Sequence, residues 1–130
     1  MRRIPVLQLT ALVLLVFATG CMSENKGKIE GTRWRSIAAT IQSKGPVGRS
    51  VRVPDGFIEL HFHKDGSLFY IIRGKLHSGR YSLGMGHNVT LHLDEPVANL
   101  KTHTETVVIK GEILTMTDSD GTELSFKKEN

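Results

Sequence analysis

Apolar and polar residues alternate with a period of two along much of this chain, and residues 57–63 show it most cleanly. Ile58, Leu60 and Phe62 fall on one side there, and Glu59, His61 and His63 on the other. Alternation at that period sets one face of a strand toward a core and the other toward water. Lys64-Asp65-Gly66 has the composition of a hairpin turn, with the glycine placed for a left-handed backbone. Residues 67–73 (SLFYIIR) then return with apolar side chains on both faces. A three-residue loop sets Leu68, Tyr70 and Ile72 against Phe62, Leu60 and Ile58, whereas a two-residue loop selects Phe69 and Ile71. Both registers stay open, because a slip by one residue exchanges the two faces.

The same reading predicts strands over residues 32–42, 51–53, 75–83, 87–93, 105–110, 112–117 and 122–127. Turn or loop composition separates them at 43–48, Pro54-Asp55-Gly56, Gly84-Met85-Gly86, 94–101, Lys110-Gly111 and 118–121. A helix over 35–42 has Ala38 and Ala39 in its favour, but the breakers that follow come too soon for it to be stable. Short strands at regular spacing predict an all-β fold, a small antiparallel meander closing into a barrel, with a β-sandwich as the alternative. The inward set predicted from the alternation includes Trp34, Leu60, Phe62, Tyr70, Tyr81, Leu91, Val108, Leu114, Met116 and Phe126. Glu105, Glu112 and Glu123 alternate with apolar neighbours and are assigned to the solvated face. An eight-stranded barrel is just wide enough for its own side chains or one small ligand. The inward set is about what a closed core consumes, so a filled interior is expected, with room for a ligand confined to a groove at the mouth.

The N-terminus follows a different pattern. Met1-Arg2-Arg3 is cationic, residues 6–18 are an apolar run broken only by Gln8 and Thr10, and Ala18-Thr19-Gly20-Cys21 follows. These are the parts of a helical secretory signal. The run spans roughly 20 Å as a helix, too short for a hydrocarbon core of roughly 30 Å. The residues after the arginine pair, Ile4-Pro5-Val6-Leu7, lack the phenylalanine and lysine of twin-arginine signals, so the pair is read as orienting charge. Residues 1–20 are therefore expected to be removed, residues 21–30 to form a polar flexible tether, and residues 31–130 to form the domain.

Residues 18–21 resemble the lipobox of bacterial lipoproteins. That resemblance implies cleavage between Gly20 and Cys21 and acylation of Cys21, the chain's single cysteine. Lipid on that residue would make a membrane its first partner, and each buried CH₂ contributes roughly 0.8 kcal/mol. The resemblance also implies an exported protein facing the periplasm. Met22 in place of an aspartate favours the outer over the inner membrane.

Loss of the signal changes the charge. Of 17 Lys and Arg, Arg2 and Arg3 go, leaving 15 against 13 Asp and Glu, a net charge of +2. No basic run beyond Lys127-Lys128 survives and aromatic residues are sparse, so no nucleic-acid partner is expected.

A second resemblance covers residues 29–128. Gly31-Thr32-Arg33-Trp34, the Asp65-Gly66 hairpin, Gly79-Arg80-Tyr81 and the closing Leu114-Thr115-Met116-Thr117-Asp118-Ser119-Asp120-Gly121 are similar to small bacterial lipocalin-like domains, in particular to uncharacterised exported families of planctomycetes. It implies a lipocalin-like barrel and leaves a small apolar ligand or a protein as partner.

Candidate chemistry is thin. His61 and His63, two apart on one strand, present both rings on the same face, a spacing that chelates zinc or copper if a third ligand joins them. His77, His87, His92 and His103 are the histidines that remain. The plainer reading is solvated residues alternating with core, and no metal or other cofactor is assigned. Asp118-Ser119-Asp120-Gly121 has the start of a calcium loop without its further oxygens, and reads first as a turn. No GxSxG-type elbow accompanies the Ser, His and Asp residues, so no catalytic residues are assigned. The expectation is a non-enzymatic, lipid-anchored envelope protein that binds or scaffolds a partner through loops such as 43–49 and 94–101. The alternative is a carrier of a small apolar molecule or a metal ion.

Overall fold

The structure, a computed structural model, describes residues 23–42 and 50–130; the leader, Gly20, Cys21 and the loop 43–49 lie outside the described residues. All regular structure there is β, in ten strands. They are β1 (Thr32–Ser36), β2 (Ala39–Gln42), β3 (Ser50–Val53), β4 (Ile58–Phe62), β5 (Ser67–Ile72), β6 (Lys75–Leu83), β7 (Asn88–Val97), β8 (Leu100–Lys110), β9 (Ile113–Thr117) and β10 (Glu123–Glu129). Eight close into an antiparallel barrel in the order β1-β10-β9-β8-β7-β6-β5-β4, while β2 and β3 pair as a separate hairpin. The barrel, not the sandwich, is the fold.

The β4–β5 hairpin takes the three-residue loop. His63 and Ser67 bond across it, Gly66 has φ of 91°, and Ile58, Leu60 and Phe62 stand opposite Ile72, Tyr70 and Leu68. Asp65 fixes the turn by accepting from the Ser67 amide at 2.9 Å and its hydroxyl at 2.6 Å.

The barrel fills itself. Trp34, Leu60, Leu68, Val89, Val107 and Leu114 are fully buried, and Phe62 and Tyr81 meet edge to face at 5.1 Å. A barrel this tight needs strands that approach closely. At Gly79 a Cβ would stand 2.2 Å from the His92 carbonyl oxygen, so only glycine lets β6 lie against β7 there.

Four sequence expectations are corrected. Val107, not Val108, points inward, because β8 pairs Val107 with Met116 and Ile109 with Leu114. That phase turns Glu105 inward too, and the residue is buried rather than solvated. The predicted strand 32–42 breaks after Ser36. There the chain leaves the barrel, Ser36 Oγ accepts from the Ile58 amide at 3.0 Å, and Asp55 accepts from the Ala38 amide. The loop predicted at 94–101 is instead strand. β7 carries three extra residues between its pairings His92–Thr102 and Val97–Leu100, and then turns through Ala98 and Asn99, both at positive φ.

The fourth correction concerns the tether. Residues 23–30 are not loose: Ser23 bridges to Gly86, and the Glu24 amide donates to the Gly86 carbonyl at 2.8 Å. Asn25 and Ile29 are buried. The Asn25 amide donates to the carbonyls of His87 at 3.3 Å and Val107 at 3.0 Å. One isoleucine and one asparagine in a polar stretch were enough to seal one end of the barrel.

Candidate functional site

The barrel's two ends differ. At the sealed end lie residues 23–31 and the turns after β4, β6 and β8; at the mouth lie the turns after β5 and β9, the β7–β8 tip and the β2–β3 hairpin. Among the described residues the surface carries three depressions of note. A broad polar one of about 500 Å³ lies at the sealed end beside Lys26, Glu30, Lys64 and Tyr81. Another of about 440 Å³ lies where β1 leaves the barrel, beside Arg35, Ile37 and Asp55. The third, about 180 Å³, is at the mouth and is lined by Ile58, Tyr70, Glu105, Met116, Asp118, Thr122 and Leu124.

The mouth groove is the candidate site because of Glu105. Buried polar atoms normally find a partner, so the exceptions call for explanation. Among the described residues three such side-chain atoms lack one: His63 Nε2, Glu129 Oε1 and Glu105 Oε2. Only Glu105 lines one of these depressions. β8 brings it inward in register with Val89 of β7. Burial, and then the charge of Asp118, pushes its carboxyl up to about 7. Across the groove, burial followed by the Glu105 charge pushes the Tyr70 phenol up to about 12. At neutral pH the groove therefore presents a phenol that keeps its proton and a carboxyl balanced between its two forms.

Asp118 is committed elsewhere. Its Oδ1 accepts from the amides of Asp120 and Thr122, both at 2.9 Å, and Gly121 takes φ of 83°. Residues 118–121 are thus a side-chain-capped hairpin turn, and Asp118 adds negative potential to the groove's rim.

The histidines are dispersed. His61 and His63 lie on the outer face, alternating with buried Leu60 and Phe62, and both rings meet Phe69, at centroid separations of 6.3 Å and 4.8 Å. His61 Nε2 is 3.4 Å from Glu59 Oε2. His77 and His103 share the inward register, opposite Tyr70 and Leu91, and His103 Nε2 lies 2.9 Å from the Leu100 carbonyl. The barrel wall separates the two pairs. No group of three or more His, Cys, Asp or Glu with metal-holding geometry occurs among the described residues. Cys21 and Gly20 lie outside them.

The chain matches no protein-family model, no curated protein and no solved structure.

Proposed function

We propose that the protein is a lipid-anchored protein of the bacterial cell envelope whose barrel binds a small partner at its mouth without transforming it. The lipobox resemblance at residues 18–21 supports the anchor, and a barrel with an apolar interior and a largely polar outer face supports a binding rather than a membrane-spanning role. The observation that carries the binding half is Glu105, a residue that lines the mouth groove and has one buried carboxylate oxygen without a partner. A carboxyl in an apolar recess is a strong acceptor once a ligand supplies the missing donor, since a charge-assisted bond there is worth about twice a neutral one. The groove's modest size, about 180 Å³, fits the polar head of a small molecule better than a whole drug-sized ligand, for which pockets run roughly 300–1,000 Å³.

The carrier reading is the version of this that the groove favours, with an apolar molecule bearing an amine or hydroxyl as cargo. A metal on His61 and His63 draws no such support. Two-dimensional NMR titration of the mature chain at pH 8 with hexylamine, hexanol and hexanoate tests it. Amide shifts around Glu105, Asp118 and Thr122 are expected with the amine and the alcohol but not the acid, and Glu105→Gln should abolish the preference for the amine. If all three probes leave the mouth amides unmoved, the binding site is not there.

A further inference from the structure

The sealed end is also where any N-terminal anchor must attach. Ser23 is fixed by its bridge to Gly86, and Glu24 by a hydrogen bond of 2.8 Å from its amide to the carbonyl of the same residue. Asn25 is buried two residues further on. Two backbone steps separate Ser23 from Cys21, a reach of at most about 7 Å. The polar layer on each side of a bilayer is itself roughly 5–7 Å deep. A domain held by so short a link cannot stand off from the lipid.

The surface around that point suits the contact. Met85, at the tip of the turn that holds Ser23, is 70% exposed. Lys26, Lys28 and Lys64 are exposed at the same end, and among the described residues the only ion pair is His61–Glu59. Two neighbouring acids are turned toward backbone donors instead: Glu30 accepts from the Gly27 amide at 3.0 Å, and Asp65 from Ser67. The same end also exposes Glu24 and Glu112. The match to a bilayer interface therefore lies in the exposed thioether with lysine ammonium groups at the same end, not in a purely basic surface.

We propose that the sealed end of the barrel is a membrane-seating face, with Met85 entering the interface, the lysines at the lipid phosphates and the mouth groove directed away from the bilayer. This rests on acylation of Cys21. The test uses the mature lipoprotein purified from membranes, with a bimane fluorophore on Met85→Cys or Ala98→Cys. Each is reconstituted into phosphatidylcholine–phosphatidylglycerol vesicles carrying a headgroup spin label. Loss of fluorescence at position 85 and none at 98 is expected, and a six-residue Gly/Ser insertion between Met22 and Ser23 should restore the signal at 85. Mass spectrometry of the same sample separates the two ideas. A bare thiol overturns the anchor and the seating with it; an adduct with equal quenching at both positions overturns the seating alone.

Discussion

A buried carboxylate with an unpartnered oxygen costs the fold free energy whenever it carries charge, and Glu105 is such a group. Its pKa rises from an ordinary 4.5 to about 7 on folding. Below the lower value both folded and unfolded chains hold the proton. Between the two, the folded chain keeps a proton the unfolded chain has lost, so stability falls as pH rises through that window. Above about pH 7 the penalty is complete, roughly 3 kcal/mol at most. Urea denaturation at pH 5 and pH 8 should show the wild-type midpoint dropping, while Glu105→Gln stays nearly level and exceeds wild type at pH 8. Parallel pH dependence in both proteins would remove Glu105 as the cause. The residue was legible in retrospect: over 105–110, one phase holds two apolar residues, Val107 and Ile109, and the other holds Val108 alone. Weighing that count against the habit of placing glutamate in water gives the inward phase. What the count does not carry is the groove, which needs Tyr70 and Leu124 from strands far away in sequence.

Among the elements, hairpins were the easiest to read and excursions from the barrel the hardest. Turn residues act locally, so Lys64-Asp65-Gly66 and Asp118–Gly121 announce themselves in the sequence. The β7–β8 tip does not, because Ala98 and Asn99 form a tight turn with φ of 50° and 67° where asparagine and glycine are the usual occupants. Alanine in that left-handed region is strained by roughly 1–2 kcal/mol. The double substitution Ala98→Asn, Asn99→Gly should therefore raise stability by about 1 kcal/mol and slow amide exchange near the tip. Unchanged exchange would mean the tip opens independently of its turn. Likewise the break after Ser36 had no local signal, since it is set by the Asp55 side chain and the Ile58 amide, some twenty residues along the chain.

For the molecule as a whole, the sealed end matters as much as the strands. Residues 23–31 look like a linker in composition, and their role depends on the buried Ile29 and on Asn25, whose partners lie more than sixty residues away. A chain beginning at Thr32 loses the buried Ile29 and the Asn25 bonds, which should lower stability by about 3–5 kcal/mol. Increased binding of an apolar dye and an earlier urea midpoint would register the loss. A truncated chain matching the parent in both would show the cap to be passive. The all-β class and most of the buried face followed from alternation, because every strand must satisfy it, while the choice of barrel over sandwich did not. How the barrel is capped and which side chain is left unpaired at its mouth are properties of the assembled cylinder.

The seam of that cylinder has a consequence for association with other chains. β1 lies between β4 and β10, so Arg33 is paired at once with His61 and with Glu129. Without β10 the barrel has two raw β-edges, β1 on one side of the gap and β9 on the other. Exposed edges of that kind pair readily with other chains, and the seven residues of β10 cover both at once.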